Sequence, residues 1–138
     1  MRVAVIGATG TIGRPLVELL ARTHDVVGVA RSPQPADGSV KWIAADATDP
    51  VAVRAALAGV DVVYHLVHSL GSTDFEDRDI AAATAVTGGA AGAGAKQIVY
   101  LGGLGEEAAD LSPHLRSRAE TAAILTDGSV PVTTPRAA

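Results

Sequence analysis

Short apolar runs alternate with stretches of helical spacing along the whole chain. Residues 3–6 form a β-branched run, Val-Ala-Val-Ile, that stops at Gly7. Over residues 11–21, Ile12, Leu16, Leu19 and Leu20 recur at the spacing of one helix face. Pro15 falls in the first turn of that segment, where a missing N–H is tolerated. A second strand is predicted over 26–30, a loop with two prolines over 31–39, and a third strand over 40–44. Asp49-Pro50 caps and opens a helix that runs to about residue 58 and ends at Gly59. A fourth strand over 62–67, a long alanine-rich helix over 75–93 and a fifth strand over 97–101 follow. Ser112-Pro113 reads as an N-cap and a first-turn proline, opening a helix to about residue 126. A sixth strand is predicted over 130–133.

Strict alternation of strand and helix implies an α/β, doubly wound parallel sheet with helices on both faces. The strands are continuously apolar, as burial on both faces requires. Right-handed crossovers leave few topologies, and the expected strand order is 3-2-1-4-5-6. With 138 residues, nearly half of them apolar, the chain is expected to be one domain with its own core. Residues 81–95 are low in complexity, mostly Ala, Gly and Thr, and read as a helix whose small side chains allow close packing. Gly88, Gly89 and Gly92 cost that helix roughly 2–3 kcal/mol relative to alanine, with Gly94 expected as its C-terminal cap.

Between the first strand and the first helix lies Gly7-Ala8-Thr9-Gly10-Thr11-Ile12-Gly13. The first glycine lets the chain turn off the strand, the second lets backbone approach a pyrophosphate, and the third permits close packing of helix on strand. The helix N-terminus then offers free N–H groups to the anion, and Thr9 and Thr11 add hydroxyl donors. A glycine motif alone is a weak signal, but the strand before it and the helix after it are the context it requires. At the end of the second strand, an NAD site places a carboxylate for the ribose 2′-hydroxyl. This chain has Ala30-Arg31-Ser32 instead, so NADP(H) is favoured over NAD(H), with Arg31 and Ser32 at the 2′-phosphate; the plainer alternative is a solvated loop arginine. Asp46-Ala47, after the third strand, either reaches the adenine edge or faces water. Leu66 and Val67, at the end of the fourth strand, are expected to bind the cofactor.

Charge and composition narrow the partners. The net charge of −4 lacks the basic stripe that phosphate backbones demand, and 3% aromatic residues leave no stacking platform for single strands. No cysteines are present, so disulfides and thiolate metal sites are excluded. No apolar stretch approaches the roughly 20 residues of a membrane span. The N-terminal apolar run is too short for a secretory signal, and a cytoplasmic location is expected.

These motifs resemble the short-chain dehydrogenase/reductase superfamily, a Rossmann-type family, and within it the atypical, extended, NmrA-like branch of NAD(P)-binding proteins. The resemblance spans the chain: VAVIGATGTIGRPLV, GVARSP, AADATDP, DVVYHLVHSLG, QIVYLGGLGE, LSPHLRSRAE and VPVTTPRAA. It implies a nicotinamide dinucleotide, a small-molecule substrate and a catalytic Ser or Thr ending the fifth strand, followed by a Tyr-x-x-x-Lys pair. This chain departs at each point. The strand end reads Leu101-Gly102-Gly103, and the pair's positions match His114 and Arg118, with Ser117 between them. His114 and Arg118 are four apart, so they share a helix face. Arg118 keeps its charge and suits ribose hydroxyls. A neutral His114 would suit proton transfer or carbonyl polarisation; the plain alternative is a helix residue with no chemical role. His65 and His68 stand where the resemblance places contacts to the nicotinamide-side ribose.

A metal site is not expected at these histidines, since a strand puts residues three apart on opposite faces. The acidic group Asp74, Glu76, Asp77 and Asp79 is accounted for by a helix N-terminus, and Glu106 and Glu107 by a solvated loop. Extended relatives carry a substrate-binding region beyond the sixth strand, whereas this sequence stops at Pro135-Arg136-Ala137-Ala138, so that region is expected to be absent. Pro135 also replaces an aliphatic residue of the resemblance. Three functions remain open: an NADPH-dependent reductase or epimerase-like enzyme acting on a small carbonyl or hydroxyl compound, a non-catalytic dinucleotide sensor or assembly subunit, and a partial, inactive domain. The free sheet edge after the sixth strand predicts self-association.

Overall fold

The computed structural model describes residues 1–36, 38–69, 73–103 and 112–137. In chain order its elements are β1 (Arg2–Ile6), α1 (Gly13–Leu20), β2 (Asp25–Ala30), β3 (Val40–Ala44), α2 (Pro50–Ala56), β4 (Val62–His65), α3 (Phe75–Ala93), β5 (Gln97–Tyr100), β6 (Gly102–Gly103), α4 (Pro113–Asp127), β7 (Val132–Thr133) and β8 (Arg136–Ala137). Six of the strands form one parallel sheet in the order β3-β2-β1-β4-β5-β7, which is the expected 3-2-1-4-5-6 arrangement.

Alternation along each strand assigns the two faces. Val5 and Val26 turn toward α1 and join Ala8, Val17 and Val40 in a small cluster. Ala4, Ile6, Val27, Val29, Val63, Ile98 and Tyr100 turn the other way and meet α2, α3 and α4 in the main core. On that side α3 lies between α2 and α4 and contacts both. Gly89 allows the approach of α2, since a Cβ there would come within 3.1 Å of both Val53 and Leu57. Gly88 faces open space, so its small size serves no packing.

The caps are local and chemical. Asp49 accepts from the N–H groups of Val51 and Ala52 at the start of α2, and the Ser112 hydroxyl accepts from Leu115 N–H at the start of α4. Gly94 closes α3 in the left-handed region, φ +69°.

Three features differ from expectation, and β7 also begins at Val132, two residues after the expected start. Helix α1 begins at Gly13, two residues late, with no side-chain cap. Strand β4 stops at His65, although the apolar run continues through Val67. The backbone of Leu66 and the side chain of Val67 sit against the Gly7 turn instead, so their apolarity serves that packing rather than the ladder. The third difference is a second, two-stranded parallel sheet, β6 with β8, supported by Gly102 N–H donating to the Pro135 carbonyl at 2.8 Å. Each of its strands is two residues long, too short to leave a periodicity.

Candidate functional site

The C-terminal ends of β1, β2, β3 and β4 open onto a cavity of about 620 Å³, within the range of small-molecule sites. Its floor is the glycine loop. Gly7 has φ +88°, a conformation in which a side chain is strained, and its N–H and that of Ala8 both point at the Val29 carbonyl at 3.2 Å. At Gly13 a Cβ would fall 2.1 Å from the Gly7 carbonyl oxygen, so α1 docks on the loop only with glycine there. Gly10 lines the cavity, and its nearest neighbour to an added Cβ is the Gly7 carbonyl oxygen at 3.4 Å. An open backbone cradle beside a helix start is what a pyrophosphate needs, so these residues fit a dinucleotide.

Of the residues singled out in the sequence, Gly7, Thr9, Gly10, Arg31, Asp46, Ala47, Leu66 and Val67 line the cavity together. Thr11, Ile12 and Ser32 are exposed, Gly13 is buried under the loop, and none of these four is in the lining. Arg31 is exposed and has no ion-pair partner among the described residues. The Asp46 carboxylate is already engaged: it accepts from Thr48 N–H at 2.9 Å, from the Thr48 hydroxyl at 2.8 Å and from Arg78 at 3.3 Å. The Thr48 hydrogen bonds, with Arg78 assisting, hold its pKa below the ordinary carboxylate value.

Several lining residues carried no signal in the sequence reading, notably Thr48, Ser69 and Arg78. Arg78 sits one turn into α3 and reaches back over the turn after β3 to Asp46. Among the acidic residues around the start of α3, helix-dipole placement does not describe Asp79. It is buried and accepts from Ser69 N–H at 2.9 Å and from the Ser117 hydroxyl at 2.8 Å. Its place was recoverable from spacing, because Asp79 shares a helix face with the buried Ala82, Ala83 and Val86. Glu76 pairs weakly with Arg116, N···O 3.9 Å. Glu106 and Glu107 lie outside the described residues.

The end of the cavity beyond β4 is a histidine-rich corner. His65 is buried on the main-core face, and its ring stacks on Tyr100 with centroids 5.9 Å apart. His68 also packs on Tyr100 at 5.9 Å. The strand-parity expectation for this pair therefore fails, because the chain leaves the sheet after His65 and the third residue on is no longer governed by strand alternation. Burial pushes the His65 pKa down to about 3, with His68 adding to it. Burial also lowers that of His68, helped by Arg118 and opposed by Asp79 and by the Leu101 carbonyl. Among the described residues no group of three or more potential metal ligands converges.

His114 is exposed at the start of α4, its ring 4.7 Å from that of Phe75, and Arg118 lies one turn further on with its carbonyl accepting from Tyr100 Oη at 3.3 Å. Neither belongs to the cavity lining. No helix among the described residues is long and apolar enough to cross a membrane.

A parallel sheet in 3-2-1-4-5-6 order with a glycine cradle at its first crossover defines a Rossmann-type dinucleotide-binding domain. The chain belongs to the NAD(P)H-binding family whose model matches residues 7–128. An uncharacterized protein of Mycobacterium tuberculosis is 46% identical over 76 residues, which is 54% of this chain but 9% of that protein. The 3-diazoavenalumate denitrifying reductase of a Streptomyces species is 42% identical over 73 residues, 51% of this chain and 24% of the reductase. Among solved structures, the Bordetella bronchiseptica enzyme WbmG in complex with NAD superposes with a TM-score of 0.84 at 21% identity, over 99% of this chain and 52% of WbmG. Citrobacter triphenylmethane reductase gives 0.81 at 23% identity, over 97% of this chain and 48% of the reductase. The chain thus spans about half the length of these structural neighbours and a much smaller part of the sequence relatives.

Proposed function

We propose that this chain binds NADP(H) in preference to NAD(H) and belongs to an oxidoreductase acting on a small carbonyl or hydroxyl compound. The observation that carries the reading is the cavity itself, which joins the Gly7–Gly10 cradle to Arg31 at one end and to His68 at the other. The pyrophosphate sits on the cradle, Arg31 and Ser32 take the 2′-phosphate, and Ala47 borders the adenine. Asp46 contributes by shaping the turn, since its carboxylate is occupied by Thr48 and Arg78 and its carbonyl accepts from Asp49 N–H. Leu66 and Val67 flank the nicotinamide-side ribose, with Arg118 close to that end. A bound nicotinamide supplies hydride chemistry, and the protein orients it. The reductase from Streptomyces supports an oxidoreductase setting. A non-catalytic dinucleotide sensor is the second reading, favoured by Gly102 where the resemblance expects a hydroxyl.

Calorimetric titration with NADPH and NADH tests the first reading. NADPH binds more tightly, and Arg31→Ala weakens NADPH by about tenfold or more while leaving NADH nearly unchanged. Equal losses for both nucleotides reject the 2′-phosphate role, and no binding of either at millimolar concentration rejects both readings.

A further inference from the structure

The end of the cavity away from Arg31 has no hydroxyl at Gly102, and His114 lies off the lining, yet it does hold one ionisable ring. His68 comes three residues after β4 and lines the cavity. Groups from four elements face it: His65 of β4, Tyr100 of β5, Asp79 of α3 and Arg118 of α4. The Leu101 carbonyl, just past β5, lies near enough to favour a proton on the ring. A neutral imidazole that gives its one N–H to a carbonyl has a fixed tautomer, and the lone pair is then on the other nitrogen.

We propose that His68 is the proton-exchanging group of this site, with one nitrogen held by Leu101 and the other taking the proton of a hydroxyl-bearing substrate. This rests on the dinucleotide reading above. In the step, the substrate O–H bond breaks, an imidazole N–H bond forms and the electron pair stays on oxygen as an alkoxide, so charge and atoms balance. The reverse delivers the proton to that oxygen. The surroundings suit both states. Burial and Arg118 keep the resting ring neutral at pH 7, and Asp79 and the Leu101 carbonyl stabilise the imidazolium once formed. His65 cannot serve, since its ring is fully buried and outside the lining.

The test uses long-range proton–nitrogen spectra of the four histidines, assigned by single substitutions and followed with pH. Spectra are recorded on the free protein and with saturating NADPH or NADP⁺, saturation being checked by calorimetry. His68 shows one neutral tautomer at pH 7, and its nitrogens shift when nucleotide binds. Its titration midpoint lies lower with NADP⁺ than with NADPH, by about half a pH unit or more, because the oxidised nicotinamide carries a positive charge. Identical midpoints with both nucleotides bound overturn the role of His68 and leave the binding reading standing, whereas absence of binding overturns the two together. In His68→Gln, the difference in proton release between NADP⁺ and NADPH binding near the midpoint, measured in two buffers of different ionisation heat, disappears; an unchanged difference overturns the proposal.

Discussion

Lowering the pH from 7 to 5 tests the energetic position of His65. Its ring is fully buried on the inner face of β4, and neither nitrogen has a hydrogen-bond partner among the described residues. Burial, with His68 adding to it, pushes its pKa from 6.5 down to about 3. Between those two values the unfolded chain binds a proton that the folded chain refuses, so stability rises with pH through this window and is lost on acidification. One such group costs the fold about 1.4 kcal/mol per pH unit once below its unfolded pKa, or about 2 kcal/mol accumulated between pH 7 and pH 5. That is a large share of a typical stability of about 5–15 kcal/mol. Replacing the ring by an aliphatic group of similar size, His65→Leu, removes both the titration and the two unpaired nitrogens. Urea unfolding of both proteins, followed by circular dichroism at pH 7, 6 and 5, gives the difference in stability. We expect the variant to match or exceed the wild type at pH 7, by up to about 3 kcal/mol, because a buried unpaired polar group has been removed. Its advantage grows by about 2 kcal/mol by pH 5. His68 titrates in both proteins and largely cancels, and Asp46, lowered from 3.8, titrates below the window. A stability difference that stays constant to within about 0.5 kcal/mol across the three pH values would refute the reasoning, because the ring would then be protonating in the fold as readily as in the unfolded chain.

Substitutions at four further positions probe packing at the site and behind it. Ser117→Ala leaves the buried Asp79 carboxylate short of one donor and is expected to cost roughly 1–3 kcal/mol in urea unfolding, with Ser117→Thr recovering part of the loss. Gly88→Ala adds a methyl in open space within a helix and stabilises by about 0.8–1 kcal/mol, whereas Gly89→Ala presses on Val53 and Leu57 and destabilises; the same sign for both would show that propensity rather than packing dominates α3. Gly13→Ala drives a Cβ into the Gly7 carbonyl oxygen, so it lowers stability by about 3 kcal/mol and removes nucleotide binding, read by thermal unfolding with and without NADPH.

The parts of the fold that were legible are those set by local chemistry repeated over many residues. Continuous apolar strands separated by capped helices imply the parallel sheet, and Asp49, Ser112 and Gly94 act at their helix ends as their side chains, or the lack of one, require. The glycine loop was legible because each glycine answers a separate steric demand. What could not be read arises from contacts between distant segments. Nothing in the neighbourhood of Arg78 points to Asp46, because the chain between them passes through α2 and β4 before α3 brings the two together. Asp79 looked like one more acidic residue at a helix start; its spacing marks the buried face of α3, but its partners from the loop after β4 and from α4 are not written in that spacing. The shared packing of His65 and His68 on Tyr100 depends on where β4 stops, which its apolar run obscures. Thr11, Ile12 and Ser32 stand at motif positions outside the cavity lining, and a motif position alone does not say which way a side chain turns.

The Arg78–Asp46 contact has a consequence for how the cavity meets an anion. Both side chains belong to the cavity wall, so the free protein already carries a carboxylate at one of its two cavity arginines. An incoming phosphate that recruits Arg78 does so by exchange, releasing Asp46 to Thr48 alone, and not by neutralising an idle charge. With both side chains about a third to a half exposed, the exchange costs at most about 1 kcal/mol. Its larger effect is on ionic strength: salt weakens the internal competitor along with the external ligand, so affinity falls less steeply with salt than a count of two arginines would require.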